Sequence, residues 1–356
     1  MLADKTIFII SPQEWNTRPV SKHHYATEFA KKSKVYFLNP PKFRLFFGSI
    51  KIEEISSNLN VITITLPVPS FIKFKAELFF QLLFRNYLKS IIQSIESVDY
   101  LWNFDNGTYF KNHNLFDKAV KVFHPVDDFS SDGSHQYSSY DIGFSVSEQI
   151  LDKIPLDDKY FINHGLQNNF VKNKQSDSDI ITPNNITYVG NISIKSLDTN
   201  TLKRVILDNC NLYFSFIGDY DNETDFINFL KTQENVKLFG NLYAKDLQER
   251  LLEADILLLC YKKKNGYFAD NSHKLLEYLS TGNVVVSSKL SVYQSLDLFP
   301  MSKTDDNSDF LNIFNDVIEN FDKINSKASR LKRVQYAFDN TYSKQIERIE
   351  NMLTRA

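Results

Sequence analysis

The 356-residue chain is predicted to be an α/β protein made of two Rossmann-like halves in tandem, and three observations carry that expectation. Short apolar, strand-like runs recur at intervals that leave room for helices, the pattern of a parallel, doubly wound sheet. The alternation breaks once, at a polar stretch without periodicity over residues 167–183, and then starts again. The length also exceeds one ordinary core and fits two domains of about 150 to 180 residues each.

In the first half, strands are expected at 6–10, 35–39, 61–66, 99–104, 119–126, 141–146 and 160–163, with helices at 24–32 and 76–94. In the second half they are expected at 186–189, 212–217, 236–239, 255–260 and 284–287; Gly190, Gly218 and Gly240 follow or close three of them. From about residue 306 the pattern is helical to the end, most clearly at 310–320 and 343–352. The expected domains are therefore 1–168 and 183–335, followed by a terminal helical segment 336–356.

Composition excludes several function classes. A net charge of −2 leaves no global attraction to polyanions, so no nucleic-acid partner is expected. Cys210 and Cys260 both adjoin apolar runs and are expected to be buried free thiols, as suits a reducing cytoplasm. The first apolar run, Thr-Ile-Phe-Ile-Ile, is too short for a secretory signal, and no stretch approaches the ~18 apolar residues of a membrane span. A cytoplasmic protein is expected, with one qualification. Residues 42–90 hold seven Lys/Arg, including Lys73, Lys75 and Arg85, against three Glu, interleaved with phenylalanines; such a segment can seat a protein on anionic lipid of the inner membrane face.

No two of the ten glycines are separated by a single residue, so the dinucleotide fingerprint is absent, and there is no phosphate-binding Walker loop. Any phosphate must be held by side chains and helix ends. The run Asn271-Ser272-His273-Lys274-Leu275-Leu276-Glu277-Tyr278-Leu279-Ser280-Thr281-Gly282, followed by Asn283 and three valines, has that form. It predicts a polar loop, a short helix, a glycine stop and a buried strand. The helix start offers unpaired N–H groups to a diphosphate, and Glu277 can accept both hydroxyls of a ribose.

The stretch resembles the N-P-x-K-L-x-E-Y-L-A-x-G-x-P-V-V segment of family-four-like GT-B glycosyltransferases of bacterial surface-polysaccharide synthesis. Tyr188-Val189-Gly190-Asn191 with Lys195 is similar to the family's first strand and glycine turn, although Asn191 stands where regular members carry a cation. The family's acid eight residues before the ribose carboxylate is replaced by Ala269, with Asp270 or Asn271 as substitute. The resemblance implies a donor site of Gly190, Asn191, Lys195, Asp270, Asn271, Ser272, His273, Lys274, Leu275 and Glu277, with lysines 262–264 able to add charge.

In the first half, His124-Pro125-Val126-Asp127-Asp128-Phe129 resembles the Y-x-x-V-D-D-F stretch of teichuronic-acid-type transferases, and Trp15-Asn16-Thr17-Arg18-Pro19 resembles the family's W-x-x-R-P motif. By this likeness His124, Asp127 and Asp128 are candidate catalytic groups: a carboxylate can take the acceptor's hydroxyl proton or stabilise an oxocarbenium-like sugar. One of the two acids is also a candidate helix cap. Trp15, Arg18, His23 and His24 are the acceptor-side candidates, and one of the histidines is expected only to cap or pack.

The GT-B likeness further implies a cleft between the domains and a C-terminal helix crossing back to the first. It implies a UDP- or GDP-linked sugar donor, a saccharide or lipid-linked saccharide acceptor, retention of configuration, and neither metal nor cofactor. A nucleotide-sugar epimerase or phosphorylase, and a non-catalytic scaffold of the same fold, are the alternatives.

Overall fold

The computed structural model describes residues 2–128, 139–167, 182–263 and 271–354, and the chain divides into two compact units. Unit 1 is Met1–Gly165 with Tyr342–Ala356, and unit 2 is Leu166–Thr341. Residues 168–181 of the polar stretch lie outside the described residues.

Unit 1 runs β1 (Thr6–Ile10), α1 (Ser21–Phe29), β2 (Lys34–Leu38), β3 (Lys42–Phe43), β4 (Ser49–Ser56), β5 (Leu59–Leu66), α2 (Ile72–Lys75), α3 (Glu77–Gln93), β6 (Tyr100–Asn103), β7 (Val120–Phe123), β8 (Ile142–Ser145), α4 (Glu148–Asp152) and β9 (Lys159–Phe161). Its strands order as β3-β5-β2-β1-β6-β7-β8-β9 with parallel pairings, and β4 pairs antiparallel with β5 at the edge. The order reverses at β1, where β2 lies on one side and β6 on the other. β1 and β2 are buried on both faces, as parallel strands covered by helices must be.

The β4 edge strand was not expected from its sequence. Its Ser-Ile-Lys-Ile-Glu-Glu-Ile-Ser run alternates polar and apolar residues, yet most of its side chains are exposed, because an edge strand buries little.

Unit 2 runs β10 (Asn185–Val189), α5 (Thr199–Asp208), β11 (Tyr213–Ile217), α6 (Asp225–Thr232), β12 (Val236–Gly240), α7 (Ala244–Glu253), β13 (Ile256–Leu259), α8 (His273–Thr281), β14 (Val284–Ser287), α9 (Phe310–Glu319), α10 (Phe321–Ile324) and α11 (Lys327–Phe338). Its sheet is wholly parallel, ordered β12-β11-β10-β13-β14. This is a doubly wound order whose switch point lies between β10 and β13. Ligands of such sheets bind beyond the strand ends there.

The last helix, α12 (Tyr342–Leu353), belongs to unit 1. Tyr342 and Ile349 join the core formed by Tyr25, Phe29 and Trp102, and the amide of Leu2 donates to Glu350 Oε1 at 2.8 Å. Burial of Ile349 alone contributes about 1.5–3 kcal/mol to holding the helix there. Cys260 is buried as expected. Cys210 is exposed, because it falls in the turn after α5 and not in the strand that follows. Among the described residues no helix is long and apolar enough to cross a membrane.

Candidate functional site

Three neighbouring parallel strands of unit 2 end in glycines with positive φ: Gly190 after β10, Gly218 after β11 and Gly240 at the end of β12. The turns are tied together, since the Gly190 amide donates to the carbonyl of Ile217 and the Gly218 amide to that of Gly240, both at 2.8 Å. At Gly190, with φ near +148°, a side chain would meet Lys274 Nζ and the Tyr188 hydroxyl. Glycine is favoured there by its backbone conformation, and any side chain would have to displace the Lys274 ammonium.

Lys274, in the first turn of α8, thus lies directly on the β10 turn. Its Nζ donates to the Tyr261 hydroxyl at 3.0 Å and sits 5.9 Å from the Tyr188 ring centroid and 5.7 Å from that of Tyr261. Tyr188 leaves from β10 and Tyr261 from just beyond β13, the two strands of the switch point. The ammonium is half-buried and is in no ion pair among the described residues.

Helix α8 is held to the sheet by Tyr278. Its buried hydroxyl accepts the Val189 amide at 2.9 Å, and burial holds the phenol well above its ordinary pKa. Leu275, Leu276 and Leu279 fill the core beneath the helix, and Gly282 in the left-handed region stops it. The N-cap, Ser272, makes no side-chain bond to the helix. Glu277 follows Lys274 by three residues and His273 by four, so the three share one helix face. Glu277 is half-buried and His273 exposed. The loop ahead is fixed by Tyr293, whose hydroxyl donates to Asn271 Oδ1 at 2.7 Å.

Other expected donor residues take different places. Asn191 folds its own turn, its Oδ1 accepting the Ser193 amide at 2.9 Å, and Lys195 is exposed beyond it. The Leu275 side chain is in the core and its amide bonds to the Ser272 carbonyl at 3.0 Å, so its side chain anchors the helix. Lys262 is exposed and Lys263 pairs with Asp305 at 2.7 Å; Asp270 and Lys264 lie outside the described residues.

Tyr188, Tyr261, Tyr278 and Tyr293 position the site, and nothing in the sequence next to each tyrosine signals the distant group it holds.

In unit 1, Asp127 follows β7 and is largely exposed, and its Oδ2 accepts from Lys22 Nζ at 3.1 Å. Lys22 is only 2% exposed and also reaches Gln13 Oε1 at 3.4 Å. A buried ammonium needs such partners, because leaving it unpaired would cost several kcal/mol, on the order of 3–5. This lysine, opening α1, was not singled out from the sequence. Asp128 pairs with Lys153, which follows α4. Capping by either acid concerns residues after 128, outside the described residues.

His124 requires a correction. Its ring is wholly enclosed among Tyr25, Trp102, Phe104 and Phe144, and Trp102 Nε1–H donates to its Nδ1 at 3.2 Å. Burial, with Lys22 and His164 nearby, lowers its pKa to about 3. It is a neutral core group with no exposed edge from which to exchange a proton with a substrate.

His23 is likewise structural: its Nδ1 accepts the Val20 amide at 3.1 Å and its Nε2–H donates to the Glu14 carbonyl at 3.0 Å, closing the start of α1. His24 is half-buried against Tyr342, 5.0 Å between centroids, and burial lowers its pKa to about 4. Trp15 packs on Phe37 and His23, while Arg18 is exposed. Among the described residues no group of three or more His, Cys, Asp or Glu gathers as metal ligands would.

No protein-family profile matches this chain, and no characterised protein matches it by sequence. Solved structures do match in fold. A trehalose-6-phosphate protein from E. coli bound with UDP-2-fluoro glucose is 10% identical with TM-score 0.69, covering 98% of this chain and 99% of its own. HepE from Anabaena, in complex with UDP and glucose, is 14% identical with TM-score 0.65, covering 99% and 100%. The UDP-forming α,α-trehalose-phosphate synthase from Burkholderia xenovorans, in complex with glucose-6-phosphate, is 10% identical with TM-score 0.69, covering 98% and 100%. The chain has the GT-B fold of these proteins: an α/β architecture of two Rossmann-like domains.

Proposed function

We propose that this protein is a glycosyltransferase that moves a sugar from a nucleotide-sugar donor to a saccharide or lipid-linked saccharide acceptor in bacterial surface-polysaccharide synthesis. The observation that carries the reading is the placement of Lys274 and the α8 start on the Gly190 turn, with Glu277 one turn further along the same helix face. An anion at a helix N-terminus gains from both the unpaired amides and the dipole, and a lysine adds a charge-assisted bond. The nucleoside diphosphate is assigned to this point and its ribose hydroxyls to Glu277. Similarly folded proteins solved with UDP make a uridine donor the first choice.

In the reaction, the bond from the sugar's anomeric carbon to the diphosphate breaks, and the acceptor oxygen forms a new bond at that carbon. Lys274 and the helix start stabilise the charge that develops on the departing diphosphate, a preorganised electrostatic contribution that needs no metal. The acceptor's proton passes to a carboxylate, for which Asp127 is the choice, oriented by Lys22. Trp15, Arg18 and His24 are assigned to the acceptor. Retention of configuration follows from the family likeness and is part of the proposal.

Calorimetry with UDP, GDP and CDP tests the binding claim: one nucleotide should bind, and a protein that binds none of them is a scaffold instead. Asp127→Asn should then leave nucleotide affinity unchanged while lowering turnover by ~100-fold or more, as for loss of a proton acceptor.

A further inference from the structure

Unit 1 exposes large apolar side chains that its core does not use. They come from the turn after β3, from α2 with the residue before it, and from the first turns of α3. Phe46 and Leu78 are each 89% exposed and Phe74 is 79% exposed, with Phe47, Phe71, Phe79 and Leu82 around half exposed. These segments adjoin one another: Phe43 packs on Phe80 at 6.2 Å between centroids, and Gly48 lies against Tyr87 of α3 and against Pro67. The turn after β3 is tied to the end of β5, where the Arg44 amide bonds to the Leu66 carbonyl at 3.0 Å.

Two further observations mark the patch. Phe46 is held at φ near +62°, in the left-handed region that bulky residues avoid, although its ring has little contact with the rest of the protein. Cations are set among the rings: Arg44 lies 4.9 Å from the Phe47 centroid, Lys73 5.2 Å from Phe74 and Lys75 5.8 Å from Phe71. Of the three carboxylates in residues 42–90, Glu53 is paired with Lys51 and Glu77 with Lys111, and Glu54 is exposed on β4.

An exposed apolar surface with cations set among its rings is a docking face, and its charge selects the partner. A second copy of the chain would set like charges against each other. An anionic bilayer answers both components: the rings enter the boundary between headgroups and acyl chains, and the stems of Arg and Lys lie along apolar surface with their charges on lipid phosphates.

We infer that this face of unit 1 docks on an anionic lipid bilayer, with Phe46, Phe74 and Leu78 inserted and Arg44, Lys73 and Lys75 on the headgroups. The inference stands apart from the transfer reaction and does not require it.

The test is co-sedimentation of the full chain with vesicles of phosphatidylcholine alone or mixed with phosphatidylglycerol. Partition onto the mixed vesicles should exceed that onto the neutral ones by about tenfold or more, and high salt should remove the difference. The triple variant Phe46→Ser, Phe74→Ser, Leu78→Ser, and separately Arg44→Glu with Lys75→Glu, should each lower partition by about tenfold or more. Melting curves of both variants should match the parent, since these side chains are outside the core. Absence of binding, equal binding to both vesicle types, or binding indifferent to both variants would overturn the inference. So would a dimer in vesicle-free solution that the serine variant dissociates, because the face would then belong to a second copy.

Discussion

Replacing Lys274 by alanine separates recognition of a diphosphate from recognition of a nucleoside. The Lys274 ammonium is hydrogen-bonded to a neutral hydroxyl, that of Tyr261 at 3.0 Å, and lies against the Gly190 turn, so its charge is available to an anion there. A hydrogen bond to a charged group contributes about 1.5–3 kcal/mol, and ~2 kcal/mol corresponds to roughly a 30-fold change in affinity. Calorimetric titration of Lys274→Ala should therefore show UDP affinity reduced by about that factor and uridine affinity unchanged. Glu277→Ala should weaken UDP and uridine alike, by ~2 kcal/mol, because both carry the ribose. Tyr261→Phe keeps the ring and removes the hydroxyl that steers the lysine; its effect on UDP should be smaller, about 0.5–1.5 kcal/mol. If Lys274→Ala weakened uridine as much as UDP, or changed neither, the assignment of the diphosphate to the α8 start would be wrong.

Gly190→Ala should cost about 1–3 kcal/mol of stability from its backbone conformation and also weaken UDP binding, since the new methyl group occupies the place of Lys274 Nζ; a variant with unaltered denaturation midpoint and affinity would contradict this geometry. His124 makes stability depend on pH. Its pKa is about 3 when folded against 6.5 in an ordinary setting, so the unfolded chain binds the proton first. The contribution is complete above pH 6.5 and is lost progressively as pH falls toward 3. At pH 5 the loss is on the order of 2 kcal/mol. His124→Phe should flatten the stability profile between pH 7 and 5, and an identical slope in parent and variant would exclude this residue as the cause.

The features legible in the sequence were those encoded locally. Alternation of strand and helix, the single break and the glycines after strands reflect backbone conformation over a few residues, and they sufficed for two doubly wound halves and for a short helix stopped by Gly282, which the structure begins at His273. Motif likeness added which residues open that helix. What tertiary structure alone decided are encounters between distant residues. Lys22 and Asp127 meet across 105 positions, and Val189 and Tyr278 across 89. The same folding turned His124 and Leu275 inward although both adjoin polar motif residues. It also decided which apolar residues of 42–90 stay outside, Phe46, Phe74 and Leu78 among them, and which, such as Phe80 and Phe84, enter the core. A side chain's chemistry is written in its own position, but its burial and its partner depend on what the rest of the chain brings to it, and that is set only when the sheets have closed and the helices have packed.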